Sequence, residues 1–324
     1  MRILVTGGAG FIGSAYVRRL LDGAEPTLPP DRVTVLDSFT YAGTDGSLDP
    51  VRDDPRLHVV HGDVRDPDLV DDIVAGHDVI VHLAAESHVD RSITGAAPFV
   101  TTNVVGTQTL LDAALRHGTR RFVHVSTDEV YGSIDHGCWP PSAPLDPSSP
   151  YSASKAAADL LTLAYHRTHG LDVVITRGAN TYGPYQHPEK VIPLFVTNLL
   201  DGRPLPLYGD GGNVRDWLHV DDHCHGIVRA QQAGRPGGVY HLGGGTELRN
   251  RDLTARLLAA FDAGWDRVTP VPDRKGHDRR YALDTTTSRR ELGWAPTVDF
   301  DAGLAATIDW YRDNRAWWEP LVKA

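Results

Sequence analysis

The first half of the chain alternates short β-branched runs with segments whose apolar residues recur at helical spacing. Ile3 to Thr6, Val33 to Leu36, Leu57 to His61, Val79 to Leu83, Phe122 to Ser126 and Val173 to Thr176 read as strands, and Ile12 to Leu21, Thr101 to His117 and Ser152 to His169 as helices between them. Strands alternating with helices make βαβ units, whose parallel strands form a sheet covered on both faces. After about residue 177 the rhythm breaks into loops at Gly183-Pro184-Tyr185, Pro204 to Gly209 and Gly243-Gly244-Gly245. Leu218 to Ala230 then reads as helix and Val239 to Leu242 as strand, so the chain is expected to return to its first lobe. Residues 23–32 hold three prolines and predict a surface loop. Trp310, Trp317 and Trp318 read as docking residues for the last helix.

The pattern predicts an α/β fold, a Rossmann-type doubly wound parallel sheet with a smaller C-terminal lobe. Residues 1–177, with a return near 214–242, are assigned to the first domain, and 178–213 with 243–324 to the second. At 324 residues the chain has room for both cores. Cys138 and Cys224 cannot build a disulfide framework and lack zinc-site spacing, which predicts a reducing, cytoplasmic setting and no metal. The stretch from Met1 to Gly7 runs straight into a strand and turn, so no leader is expected there, and no apolar run approaches the ~18 residues of a membrane span. Thirty-two basic against 42 acidic residues leave a net charge of −10, which disfavours nucleic acid and anionic lipid as partners.

Gly7-Gly8-Ala9-Gly10-Phe11-Ile12-Gly13 follows the first strand and opens a helix. Gly7 permits the tight turn, Gly10 close approach of a pyrophosphate and Gly13 close helix packing, while the helix N-terminus attracts phosphate charge. Asp37 ends the second strand, where a carboxylate accepts from both ribose hydroxyls and repels a 2′-phosphate, so NAD is favoured over NADP. Asp63 and Val64 are expected to edge the adenine, and Leu83-Ala84-Ala85 to end a strand on the same ligand-binding edge.

Thr127-Asp128-Glu129 follows a strand, and Tyr151 and Lys155 stand four apart on a predicted helix, hence on one face. A phenol titrates near about 10, and a neighbouring ammonium favours its phenolate, which lets Tyr151 exchange a proton with a substrate hydroxyl. Adjacent carboxylates serve as acid and base if their surroundings push their pKa values apart. A plainer alternative is that Asp128-Glu129 only caps the next turn.

These motifs resemble the extended short-chain dehydrogenase/reductase family of nucleotide-sugar enzymes, and Thr127-Asp128-Glu129 resembles its dehydratases. Ala85 to Ser92, Tyr182 to Tyr185, Pro188-Glu189-Lys190, Arg215-Asp216-Trp217 and Gly276 to Tyr281 extend the resemblance along essentially the whole chain. The resemblance implies dTDP-glucose as substrate. Tyr151, aided by Lys155, would deprotonate the 4-hydroxyl while Thr127 holds O4, Glu129 would take the C5 proton and protonated Asp128 would donate to the departing 6-hydroxyl. It implies further cofactor contacts from Phe11, Ile12, Ser38, Thr40, Ser87, Thr102 and Thr181. Substrate contacts are implied for Ser87, Asn180, Lys190, Val191, Pro206, Tyr208, Arg215, Asn250, Arg274, His277 and Tyr281. A homodimer through a four-helix bundle is implied as well. The sequence departs from the family at Thr181, where asparagine is usual, and at Lys275, where proline is common. A nucleotide-sugar 4-epimerase or a UDP-glucuronate decarboxylase would need the glycines, Tyr151 and Lys155 but not the Asp128/Glu129 pair. A non-catalytic NAD-binding regulator would need neither Tyr151 nor Lys155.

Overall fold

Strand β1 (Arg2–Thr6) is apolar on both faces, as a central strand must be. Ile3 and Val5 enter one core while Leu4, pointing the opposite way, enters another. The computed structural model describes residues 1–323. Within them β1 is followed by β2 (Arg32–Asp37), β3 (Leu57–His61), β4 (Val79–His82), β5 (Arg121–Thr127), β6 (Val173–Gly178), β7 (Asn180–Tyr182), β8 (Leu205–Tyr208), β9 (Val214–His219), β10 (Gly238–Leu242), β11 (Glu247–Arg249) and β12 (Val268–Val271). A seven-stranded sheet runs β10-β6-β5-β4-β1-β2-β3, every neighbouring pair parallel. The chain winds outward from β1 to β3, then restarts at β4 on the other side. That reversal opens a crevice at the carboxyl ends of β1 and β4, where ligands bind in such sheets.

On one face the side chains of Ile3, Val5, Val33, Val81 and Val123 share a core with the helices Phe11–Leu21 and Val220–Ala233. On the other, Leu4, Leu36, Ile80, Phe122 and Val173 pack with the helices Pro67–Val74 and Gly106–His117. A third core belongs to the second lobe, where Ile192, Phe195, Leu253, Leu257, Leu304 and Ile308 gather around Trp217 and Trp318. The small sheets β11-β9-β7 and β12-β8 sit outside the large one. Trp318 is fully buried and its Nε1 donates to the Tyr311 carbonyl at 2.7 Å, while Trp310 lies 4.4 Å from the Tyr185 ring, so these tryptophans do dock the terminal helices.

The structure corrects several details of the sequence pattern. Leu218 is strand, not helix: it belongs to β9, and the helix starts only at Val220, capped by the His219 side chain. Leu218 and Val220 on either side of His219 hide that boundary, because a short buried strand and a buried helix start look alike in composition. Val100 to Val105 form a π-helical turn before the α-helix Gly106–His117, whereas helical spacing alone predicts one continuous helix. The loop at 23–32 is not all surface, since Glu25 and Leu28 are buried. Glu25 accepts from Arg19 at 2.7 Å and meets His225 Nδ1 at 3.0 Å, so the loop is pinned to the helix Val220–Ala233. Among the described residues no helix is long and apolar enough to cross a membrane, and no group of three or more acidic, His or Cys side chains is arranged to hold a metal.

Candidate active site

At the end of β1 the chain turns through Gly7 with φ +69°, a left-handed conformation that favours glycine. A Cβ on Gly7 would lie 2.6 Å from the Ala84 nitrogen, and one on Gly13 would lie 2.1 Å from the Gly7 carbonyl oxygen. Only bare backbone lets the helix start pack so tightly on the turn. Gly10 stands at the N-cap of Phe11–Leu21 with no side chain closing the helix end, which leaves amide hydrogens free for an anion. Asp37 is buried, accepts from the amides of Ala9 and Phe39 at 2.9 Å each, and points into the same cleft. Burial raises its carboxyl above the usual range, although those amides work against the rise. Asp63 is held by Arg65 at 2.6 Å, which keeps it low, and Val64 is buried beside it.

These groups wall a cleft of about 340 Å³ running along the carboxyl edge of the sheet. Phe11, Ile12, Ser38, Thr40, Leu83, Ala84, Ala85, Ser87, Thr102, Thr127, Asp128, Glu129, Tyr151, Lys155, Asn180, Thr181 and Lys190 line it too, so the structure brings the glycine turn and the Tyr/Lys pair into one space. Glu86, Gln186, Glu189 and His223 also line it, although the sequence pattern offered no reason to assign them a contact. Their signal was faint: each stands on a loop or helix start whose direction depends on packing between lobes.

Thr127 closes β5, and its hydroxyl accepts from the Glu129 amide at 3.2 Å, capping the 3₁₀ turn Asp128–Tyr131. The cap is therefore Thr127, and both carboxyls that follow are spared that duty. Asp128 is 3% exposed, with Oδ1 accepting from the Thr127 hydroxyl at 3.2 Å and Oδ2 without a partner among the described residues. Burial, then the charge of Glu129, pushes its pKa well above the ordinary carboxylate value, which favours its protonated form. Glu129 is raised as well, again by burial, but the cations of Arg274, Arg215 and Lys190 oppose the rise. The two environments differ in the sense that separates an acid from a base.

A capping box between Ser149 and Ser152, with Pro150 in the first turn, starts the helix Pro150–His169 and sets Tyr151 at its mouth. One turn on, the Lys155 ammonium donates to the Val125 carbonyl at 2.8 Å, and burial lowers its pKa to about 8. The Tyr151 phenol moves upward, against the simple expectation from a neighbouring lysine. Burial is the main cause, followed by the charges of Glu129 and Asp128, and a hydrogen bond with Thr127 only partly offsets them.

The remaining predicted contacts, Val191, Pro206, Tyr208, Arg215, Asn250, Arg274, His277 and Tyr281, lie beyond the cleft wall. Several still face it electrostatically or pack among themselves. Arg215 stacks 4.4 Å over the Tyr281 ring and donates to the Asp278 carbonyl at 3.0 Å, and Tyr281 in turn donates to the Asp278 carboxylate at 2.7 Å. Arg274 Nε is buried without a partner, and the Tyr208 and His277 rings meet edge to face at 6.1 Å. Asn250 merely begins a helix, its amide donating to the Asn213 carbonyl. Lys190 donates from Nζ to the Ser87 carbonyl at 3.0 Å, tying the two lobes across the cleft.

The profile of the GDP-mannose 4,6 dehydratase family matches residues 4–307. A dTDP-glucose 4,6-dehydratase of Streptomyces antibioticus is 65% identical over 100% of this chain and 96% of its own length. The crystal structure of DesIV, a dTDP-glucose 4,6-dehydratase from Streptomyces venezuelae solved with NAD and dTDP bound, superposes with a TM-score of 0.98. It shares 64% identity and covers 99% of this chain and 100% of that one. A UDP-glucose 4-epimerase from Thermotoga maritima also superposes, with a TM-score of 0.89 over 97% of this chain and 100% of that one, at 30% identity.

Proposed function

The chain belongs to the GDP-mannose 4,6-dehydratase family, within the extended short-chain dehydrogenases/reductases, and from that premise we propose that it is a lyase converting dTDP-glucose to dTDP-4-keto-6-deoxyglucose and water, with NAD as resident cofactor. The residues fit that cofactor: the uncapped helix end at Gly10 suits a pyrophosphate, Gly7 and Gly13 let the turn and the helix start pack backbone to backbone beneath it, and Asp37 suits a ribose diol. Bound NAD supplies the acceptor for the hydride leaving C4 of the sugar and the donor that returns it to C6.

The chain's own groups move the protons. Tyr151 removes the proton of the 4-hydroxyl, with Thr127 holding O4 and Lys155 beneath. The resulting ketone acidifies the hydrogen on C5, and Glu129, whose ionised form is favoured by the charges of Arg274, Arg215 and Lys190 against the effect of its burial, takes it. Asp128, held neutral by its burial, donates to O6, which departs as water. Glu129 then returns its proton to C5, and the proton first taken by Tyr151 replaces the one Asp128 gave up. Nothing is gained or lost except water. Each such transfer contributes roughly 10²- to 10⁴-fold. Arg215 and Arg274 suit the diphosphate, and Tyr208 with Pro206 the thymine.

The observation that carries this reading is the Asp128/Glu129 pair sharing a cleft with Tyr151, with Glu129 facing the cations of Arg274, Arg215 and Lys190 while Asp128 faces the charge of Glu129. An epimerase or decarboxylase needs no such pair, and the 30% identity to an epimerase against 64% to a dehydratase favours the same choice. The test is a mass spectrum of dTDP-glucose after incubation with the protein and no added reductant, beside UDP-glucose and UDP-glucuronate. Loss of one water from dTDP-glucose supports the lyase; an unchanged mass there, or loss of carbon dioxide from UDP-glucuronate, overturns it.

A second copy of the chain is the natural cover for the apolar residues left bare on neighbouring helices. Leu160 is 56% exposed, Val100 49% and Val105 44%, far more than isolated surface chance requires of three aliphatics on adjoining segments. Pairing the helices Gly106–His117 and Pro150–His169 with their copies builds a four-helix bundle. A cytoplasmic location suits a chain whose two cysteines are both free, Cys138 exposed and Cys224 buried.

A further inference from the structure

His223 stands in the first turn of the helix Val220–Ala233, is 2% exposed, and still lines the cleft. Burial lowers its pKa to about 4, so the ring is neutral at pH 7 and carries one hydrogen on one nitrogen. Its hydrogen bonds settle which. Nδ1 lies 2.7 Å from the Thr181 hydroxyl oxygen, and that hydroxyl also reaches the Ala179 carbonyl at 3.1 Å. A hydroxyl has one hydrogen, and the carbonyl can only accept, so Thr181 donates to Ala179 and accepts from His223 Nδ1–H. Nε2 is left with a bare lone pair, buried and without a partner among the described residues.

Such an acceptor costs free energy unless something meets it. The chain has made room for the ring there. A Cβ on Gly178 would fall 2.5 Å from Cε1 and 2.8 Å from Nε2, so any other residue at 178 would push the imidazole away. Gly178 also pairs with Thr127 across β6 and β5, which puts this lone pair at the reacting end of the cleft rather than at the adenine end.

We propose that His223 is a cofactor-positioning residue: its Nε2 accepts a hydrogen bond from the carboxamide amino group of bound nicotinamide, with Thr181 fixing the tautomer and Gly178 the space. The inference rests on the NAD assignment above. It also gives the Thr181 hydroxyl a role, because that hydroxyl orients the histidine.

The test uses the full chain, with dissociation constants measured by equilibrium dialysis for NAD and for its 3-acetylpyridine analogue, in which a methyl group replaces the amino group. The natural protein should prefer NAD about five- to ten-fold, the worth of one buried neutral hydrogen bond. His223→Phe, which keeps a ring but no acceptor, should bind the two equally, and His223→Gln should regain part of the preference; a purely structural histidine would lower the melting temperature without touching this ratio. A His223→Phe protein that keeps the preference overturns the proposal. So does a natural protein with no preference, whatever the variants do. A natural protein that binds neither nucleotide instead defeats the NAD assignment, so the two failures are distinct.

Discussion

Replacing Asp128 with asparagine isolates the acid step with little change of shape. The native carboxyl is buried, shifted by that burial toward its protonated form and bonded through Oδ1 to the Thr127 hydroxyl, and an asparagine carbonyl can take over that one contact. What is lost is the proton aimed at the departing oxygen. Removal of a positioned general acid costs roughly 10²- to 10⁴-fold, or about 3–5 kcal/mol of barrier. The earlier oxidation at C4 depends on Tyr151 and should proceed, since a neutral side chain replaces a neutral one and the field at the phenol hardly changes. The assay mixes the variant with dTDP-glucose and follows two signals together, absorbance of the reduced cofactor and loss of water by mass spectrometry. The first should appear without the second. Water loss within about threefold of the natural rate would refute the assigned role. A downward move in the pH limb of C4 oxidation would refute the protonation state, because it would mean that Asn had removed a negative charge.

Three further outcomes follow from the same geometry. Gly13→Ala drives a methyl group to within 2.1 Å of the Gly7 carbonyl oxygen, and should cost about 1–3 kcal/mol of stability together with most of the NAD retained through purification, measured by nucleotide release on denaturation. His223 is buried and neutral: below its ordinary value of 6.5 the unfolded chain takes a proton that the folded chain refuses down to about 4, so stability is present above pH 6.5 and lost as pH falls. That loss amounts to roughly 3 kcal/mol by pH 4, and His223→Gln should flatten this part of a urea-denaturation profile; an unchanged slope would count against it. Leu160→Glu sets a charge on an exposed aliphatic position of the helix Pro150–His169 and should shift sedimentation equilibrium at micromolar concentration toward monomer while leaving the circular dichroism spectrum intact.

The sheet was readable because each of its strands is a short β-branched run flanked by turn residues, and the glycine turn because its spacing demands one backbone path. Helical periodicity set Tyr151 and Lys155 on one face, and only the glycine turn upstream and the scarcity of lysines singled the pair out. What escaped depended on contacts between distant segments. No local pattern tells that Leu218 belongs to a strand of a small sheet, or that Glu25 leaves a proline-rich loop to meet Arg19 and His225. The upward shift of Tyr151 needed the depth of its burial and the closeness of two carboxylates, neither of which spacing supplies. His223 was visible only as one of many histidines until β6 and β7 brought Gly178 and Thr181 against it.

The order in which the strands are laid down exposes the chain during synthesis. Strand β10, which covers the outer side of β6, is not made until Gly238, after the whole excursion through β7, β8 and β9. Until then β6 stands as a naked sheet edge of Val173, Val174 and Ile175, beside a face still waiting for the helix Val220–Ala233. Such an edge can recruit the same strand of another nascent chain. A ribosome that pauses between residues 180 and 238 would therefore favour aggregates, and a chaperone that shields β6 over that interval would raise the yield of soluble protein without altering the finished enzyme.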